Sequence, residues 1–415
     1  DGEGFLWSYP SLNPRVQASY EYIEFILTDD AIKGRFMRLF TFHIPHEDIS
    51  HLAPYEVQDG AVVFSEGEDN ALKEFERHLS KAMHDLTNKL TGLPAWYIHA
   101  GSGVPLFGSN AFGIVDRGTN LIEVKPITGC NLDCIYCSVD ESRRGMDIVI
   151  DPEFLAQGCR ELCEYKDCPP YEIHIGTQGE PLLYAGLTPF LSYLKEIPGV
   201  ETISMDTNGT MLTRSKVDEL VDAGLNRFNI SLHAFDPGKA KKIAGTTYPV
   251  EKISELLAYI PTRCEMTIAP VLLPGINDDD VEEIVRFAGT LQATYKVRVG
   301  IQNFLHYKGG RRQVKGWSMK RFYSFLDDLE ERYGIPLHMT AQEFGVRTCR
   351  AYPIPFRKGE TAHAKIIGRG RLPNERLAVA RDRIITFTGA EGKQNVTLRI
   401  TRVKHNVIYG VPVRQ

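Results

Sequence analysis

Between Asn120 and about Thr340, short apolar runs alternate with longer amphipathic stretches, and this alternation limits the fold more than any other feature of the chain. Leu121–Ile127, Tyr171–Ile175, Thr202–Met205, Arg227–Leu232, Glu265–Leu272 and Val297–Asn303 read as strands. Pro152–Glu164, Leu187–Lys195, Arg214–Ala223, Val250–Ile260, Asp279–Ala293 and Ser318–Tyr333 carry apolar residues at helical spacing. Repeats of roughly 30 to 40 residues suit βα units on a parallel sheet. Six such units are fewer than the eight of a closed barrel, so the expected fold is α/β, a partial (β/α)6 TIM-like barrel. Chemistry in such folds sits on the loops at the carboxyl ends of the strands.

The flanks differ from this centre. Residues 1–112 read as an amino-terminal α/β extension, 113–345 as the partial barrel and 357–415 as a small β domain. After Arg357-Lys358-Gly359 the short runs Ala364–Ile367, Ile384–Thr388, Val396–Val403 and Val407–Val411 suit an OB-like barrel. The chain's net charge of −5 hides an asymmetry, because Arg357 to Gln415 holds thirteen Lys or Arg against four acidic residues. A composition of 43% hydrophobic and 24% charged residues excludes a wholly disordered chain. No run approaches the roughly 18 apolar residues of a membrane span. The opening Asp1-Gly2-Glu3-Gly4 lacks a basic-then-apolar pattern, so the expectation is a cytoplasmic protein with no membrane partner.

Eight cysteines are few for 415 residues, which argues against a disulfide scaffold. Cys130-Asn-Leu-Asp-Cys134-Ile-Tyr136-Cys137 follows the first strand, where an active loop belongs. Three thiolates at this spacing can each take one corner of a 4Fe–4S cube and leave the fourth iron open to a small molecule. The alternative is a zinc knuckle, which would want a fourth His or Cys that the local loop lacks. Cys159, Cys163 and Cys168 form a second group. They read either as buried thiols or as an auxiliary cluster with Cys264 or Cys349 as the fourth ligand.

The first cysteine segment resembles the CxxxCxxC signature of the radical S-adenosylmethionine (SAM) superfamily, and the resemblance extends over about 220 residues. Gly176-Thr177-Gln178-Gly179-Glu180-Pro181 after the second strand is similar to its GGE-like motif, with Gln178 in place of the first glycine. Thr207-Asn208-Gly209 resembles its TNG turn, Asn229-Ile230-Ser231-Leu232 ends the fourth strand, and Leu273–Asp278 is similar to a turn of the superfamily. The resemblance implies a 4Fe–4S cluster on Cys130, Cys134 and Cys137, with SAM chelated at the open iron. It implies that Glu180, beside Gln178 and Gly179, holds the methionyl ammonium, which is sound charge pairing. Tyr136, placed between two of the cysteines, either packs on the adenine or belongs to the core, and Ser231 either meets the ribose or carboxylate, as the resemblance implies, or is a buried Ser bonded to backbone. Asn208 either joins them or only caps its turn. One-electron cleavage of SAM would then give methionine and a 5′-deoxyadenosyl radical that takes hydrogen from a substrate, with ferredoxin or flavodoxin as the electron donor.

Alternating β-branched and basic residues, as in Arg399-Ile400-Thr401-Arg402-Val403-Lys404, put positive charge on one face of the last barrel. Such a face is a footprint of RNA binding. The module resembles a TRAM domain, and the whole arrangement resembles archaeal radical SAM proteins with a carboxyl-terminal TRAM-like module. The leading expectation is therefore a radical SAM enzyme that modifies RNA, with tRNA as the candidate. The alternatives are the same chemistry on a peptide, lipid or cofactor precursor, or a non-enzymatic RNA-binding iron–sulfur protein. No cysteine precedes Cys130, so sulfur insertion through a three-cysteine amino-terminal domain is not supported.

Glu141, Arg143 and Arg144 read as a solvated face or as the mouth of the site. Gln302, His306 and Tyr307 are candidates for substrate contact, and Lys308, Arg311, Arg312 and Lys315 read as a basic loop.

Overall fold

A computed structural model of the protein describes residues 16–65, 69–176, 178–307, 309–311, 314–390 and 392–413. Thr177, Lys308 and Arg312 lie outside the described residues. The chain forms two compact units, one ending at Trp96 and one beginning at Tyr97.

The first unit has a four-stranded antiparallel sheet of Ile23–Leu27, Ala31–Phe36, Phe40–Pro45 and Thr87–Asn88. A second sheet orders Val16–Ala18, Ala61–Phe64 and Tyr55–Gln58. The helix Asp69–Ala82 buries Ala71, Phe75 and Leu79 at four-residue spacing, one helical face. The Phe75 ring meets those of Phe25 and Phe64 edge-on, each at 5.7 Å between centroids.

In the second unit, six parallel strands pair in chain order: Leu121–Lys125, Tyr171–Ile175, Val200–Thr207, Arg227–Ile230, Glu265–Ile268 and Val297–Val299. Gly113–Asp116 adds an antiparallel strand outside the first of these. This is the partial barrel that the alternation implied. The runs Glu265–Leu272 and Val297–Asn303 each break in two, and their ends, Val271–Leu272 and Gln302–Asn303, pair separately. Pro270 and Gly300 sit at the breaks, as expected for residues that weaken a strand interior.

Side-chain caps fix where several helices begin. Asp151 accepts from the Phe154 amide at 2.8 Å with Pro152 in the first turn, and Thr213 accepts from the Lys216 amide at 3.1 Å. One helix, Pro237–Ala244, was not legible as a helix because Pro-Gly-Lys-Ala-Lys-Lys reads as a polar loop. Asp236 starts it by accepting from the Lys239 amide at 2.7 Å.

The two faces of the sheet are chemically different. Ile173, Ile175, Phe228, Met266 and Ile268 are fully buried on one face. On the other, Asp206, Asn229 and Thr267 share a register across three strands, as do His174, Ser204 and Arg227 one layer below. A parallel sheet covered on both sides is normally apolar on both. The polar inner face therefore marks a lumen built for something other than packing.

The last described segment is a closed five-stranded barrel in the order Thr361–Arg369, Glu375–Ala380, Arg383–Thr388, Val407–Pro412 and Asn395–Lys404. Its core holds Ala362, Ala364, Ile385, Phe387, Leu398 and Ile408. The strand Glu375–Ala380 gives no clear strand signal in the sequence because Glu-Arg-Leu-Ala-Val-Ala has a single β-branched residue. Backbone bonds from Ile384 N to Phe107 O and from Ile408 N to Gly108 O, both 2.9 Å, join this barrel to the segment before the parallel sheet. Among the described residues no helix is long and apolar enough to cross a membrane.

Candidate active site

The cysteine loop leaves the first parallel strand and docks on the carboxyl end of the helix Pro237–Ala244. The amides of Asp133 and Ile135 donate to the carbonyls of Ala244 and Ile243 at 2.9 and 3.0 Å. Helix ends leave such carbonyls unpaired, so the loop supplies the missing donors and is itself held in place. Cys130, Cys134 and Cys137 are free and partly exposed. Burial pushes the Cys134 thiol up to about 12, and burial likewise raises Cys130 and Cys137. Among the described residues, these three sulfurs do not all lie within 4.8 Å of one another. A single zinc ion with Zn–S of about 2.3 Å needs its sulfurs closer than that.

Glu180 faces the same loop. Its amide donates to the Gly129 carbonyl at 2.7 Å. Its carboxylate accepts from Leu182 N at 3.0 Å, Thr207 Oγ1 at 2.6 Å and Asn208 N at 2.8 Å. Glu180 is 2% exposed, and among the described residues no cationic side chain pairs with it. Burial outweighs the three hydrogen bonds and pushes its pKa up to about 7. A cationic ligand beside this carboxylate would favour its charged form. Gly179 allows the close approach, since a Cβ there would lie 2.6 Å from the Gly129 carbonyl oxygen.

The other residues singled out in the sequence gather here too. The Asn208 amide group donates to Asn131 Oδ1 at 2.9 Å while its own oxygen accepts from Thr210 N at 3.0 Å, so it ties the turn to the cysteine loop. Tyr136, Ser231 and Cys134 line one small cleft with Tyr248 and His233. The Ser231 hydroxyl has no hydrogen-bond partner among the described residues, whereas the Ser231 carbonyl accepts from Tyr248 Oη at 3.0 Å. The Tyr136 hydroxyl bonds to His233 Nε2, and Val271 N donates to His233 Nδ1 at 3.0 Å. Nδ1 is therefore the acceptor, and the neutral imidazole carries its proton on Nε2; burial takes the His233 pKa down to about 3. The Gln178 Oε1 accepts from Arg371 of the last barrel at 3.0 Å.

The charged stretch after the loop is internal, not a solvated face. Arg144 is 6% exposed and bonded to Glu141 and Asp147, although Arg143 stays exposed. Arg311 is committed to Asp133 and Asp140, and Lys315 is exposed. The second cysteine group does not assemble, because Cys168 is bonded to Cys349 while Cys159 and Cys163 remain buried thiols.

Within the partial barrel lies a cavity of about 690 Å³, lined by Asp206, Asn229, Gln302, Tyr323 and Phe344 among others. Of the three candidates for substrate contact, all exposed, Gln302 lines this cavity and His306 and Tyr307 do not. Sequence reasoning missed the Asp206 and His174 pair, 3.3 Å apart. The available signal was an acid and an imidazole at alternate positions of otherwise apolar strands.

A Radical SAM superfamily model matches residues 124–288. An uncharacterised protein of Methanocaldococcus jannaschii is 35% identical over 357 residues, covering 78% of this chain and 82% of its own length. The chain belongs to the radical SAM superfamily. A GTP 3′,8-cyclase of Thermodesulfovibrio yellowstonii is 29% identical over 237 residues, 52% of this chain and 64% of the cyclase. The solved structure of Streptococcus suis SuiB bound to S-adenosylmethionine is 15% identical with a TM-score of 0.42, covering 77% of this chain and 72% of SuiB. Radical SAM enzymes use a 4Fe–4S cluster and SAM. In this radical SAM protein, three free thiols lie on one loop beside a buried carboxylate that no described cation pairs.

Proposed function

We propose that the chain cleaves SAM reductively at a 4Fe–4S cluster on Cys130, Cys134 and Cys137, and uses the resulting radical to modify a nucleoside of RNA, with tRNA as the candidate. The cluster, once reduced by an electron donor, would supply one electron that breaks the sulfur–C5′ bond of SAM, giving methionine and a 5′-deoxyadenosyl radical that stays in the site. That radical takes one hydrogen from the substrate. The observation that carries this reading is the Glu180 carboxylate, buried without a cation and bonded to the Asn208 amide, while the backbone amide of Glu180 donates to the Gly129 carbonyl beside the cysteine loop. Glu180 would pair with the methionyl ammonium, framed by Gln178 and Gly179. The free Ser231 hydroxyl would meet the ribose or carboxylate, Tyr136 would border the adenine, and Asn208 would hold the turn.

The RNA part of the reading is supported by charge on the last barrel. His363, Lys365, Arg399, Arg402 and Lys404 are outward, none of the Lys or Arg among them in an ion pair between described residues. Such a face tracks a phosphate backbone, as a TRAM-like module would. The lumen cavity of about 690 Å³ has room for one nucleoside. A second reading, a free nucleotide as substrate, is favoured by the same cavity and by the similarity to GTP 3′,8-cyclases. A cytoplasmic ferredoxin or flavodoxin would supply the electron.

The experiment is anaerobic turnover of SAM, with 5′-deoxyadenosine quantified alone, with total tRNA and with GTP. Stimulation by tRNA supports the RNA reading. Stimulation by GTP alone replaces it with the nucleotide reading.

A further inference from the structure

Arg371 belongs to the last barrel, yet its side chain ends at the cysteine loop. It sits in the turn between Thr361–Arg369 and Glu375–Ala380, a turn closed by Gly370 N to Glu375 O at 2.8 Å and Leu372 N to Glu375 Oε2 at 3.1 Å. Arg371 is 2% exposed. Its Nη1 donates to Gln178 Oε1 at 3.0 Å, and its Nη2 donates to the Thr128 carbonyl at 3.2 Å and to Glu141 Oε1 at 2.8 Å. Thr128 stands two residues before Cys130, Gln178 two before Glu180, and Glu141 four after Cys137. One planar guanidinium therefore ties together three segments that frame the site, bonding from two separate nitrogens where a lysine has one.

The backbone makes the same junction. Gly145 N donates to the Arg371 carbonyl at 2.7 Å, and a Cβ at Gly145 would lie 3.1 Å from Pro373 Cα. The turn is thus packed into the site rather than laid over it.

A buried guanidinium is expensive unless anions repay its desolvation. Glu141 is shared with Arg144, and the Nε of Arg371 has no partner. Arg144 also pairs with Asp147, so two guanidiniums face two carboxylates here, and the Arg371 fork holds one of these cations at the Thr128 carbonyl, two residues before Cys130.

We propose that Arg371 is a positioning residue of the cluster site and that its charge favours the reduced, more negative cluster, so that the last barrel is a working part of the radical centre. This rests on the assignment of Cys130, Cys134 and Cys137 as ligands. Two consequences follow. Lowering the charge at position 371 makes the cluster harder to reduce. Removing the barrel to test RNA binding would also disturb the cluster, so surface charge variants are the cleaner tool for RNA.

The test is a potentiometric titration of the full-length chain, reconstituted with iron and sulfide, reduced stepwise with dithionite and read by electron paramagnetic resonance. Arg371→Met is expected to keep its iron and show a more negative midpoint than the wild type. Arg371→Lys, which keeps the charge but loses the fork, is expected to lie nearer the wild type. Unshifted midpoints with full iron in both variants overturn the proposal. If Arg371→Met holds no cluster, Glu141→Gln is the second variant: it unmasks the Arg371 charge and should move the midpoint upward, and an unmoved midpoint overturns the proposal. A wild type whose cysteines hold no cluster would defeat the ligand assignment itself, a separate outcome read from its iron content.

Discussion

The Thr207 hydroxyl donates to the Glu180 carboxylate at 2.6 Å, linking the end of one parallel strand to the loop after its neighbour. With the Asn208 amide on the other oxygen at 2.8 Å, both oxygens are fixed by neutral donors while no cation is present. Such a carboxylate is arranged in advance for a positive ligand. Glu180→Gln should weaken SAM binding by roughly 10- to 100-fold, the scale of one charge-assisted hydrogen bond. Equilibrium dialysis of SAM against the reconstituted proteins measures this. Equal affinity would remove Glu180 from the site.

The cysteines divide cleanly. Cys130→Ala, Cys134→Ala and Cys137→Ala should each lower bound iron to near background after anaerobic reconstitution. Cys159→Ala and Cys163→Ala should leave iron unchanged, since those thiols are buried and have no cluster partners in Cys168 or Cys349. Iron and sulfide analysis decides both halves.

Asp206 and His174 predict a pH dependence in the lumen. Burial pulls the His174 pKa down, but the Asp206 charge and hydrogen bond, with Glu172 and Glu123 behind them, hold it above the ordinary histidine value. Burial pushes Asp206 up, and His174 with Asn229 and Arg227 more than offsets that. The histidine's contribution to stability is full below about pH 6.5, its unfolded value, and is lost as pH rises through the higher folded value. The aspartate's contribution is full above about pH 4 and is lost as pH falls through its depressed folded value. Asp206→Asn should drop the His174 pKa, followed by NMR of the imidazole carbons, and should cost less stability at high pH than near neutrality. An unmoved His174 titration would show that the pair is not coupled.

Charge reversal on the last barrel tests the RNA surface without touching the cluster. Lys365 and Arg399 are exposed on adjacent strands, with Thr361 opposite Arg399 and Lys365 opposite Asn395. The double change Lys365→Glu and Arg399→Glu should weaken tRNA binding and reduce the salt slope by about one for each phosphate no longer neutralised. Filter binding across a salt series reads both. An unchanged slope would move the RNA surface elsewhere.

Much of this was legible in the sequence, for physical reasons that can be named. The strands show because their outward residues, such as Ile173 and Phe228, must be apolar to pack under helices. Helix limits show where Pro and Asp set them, as at Asp151 and Pro152. Local spacing marks the cysteine loop, because three thiols within eight residues stand out from the rest of the chain. What escaped depends on neighbours far apart in the chain. Arg371 meets Gln178 across 193 positions, and nothing around Gly370-Arg371-Leu372 sets it apart from the other basic residues of the tail. The Glu141 and Arg144 run looked like a solvated surface because burial of an ion pair leaves no local pattern. His174 and Asp206 lie on neighbouring strands 32 positions apart in the chain, so neither strand alone shows their pairing.

The most direct test of the central claim is the quantity of 5′-deoxyadenosine formed when the reduced, reconstituted protein meets SAM without oxygen, measured beside Cys134→Ala. The account predicts 5′-deoxyadenosine and methionine from the wild type and none above background from the variant. Equal yields from the two, or none from a wild type with its cluster intact and reduced, would contradict it.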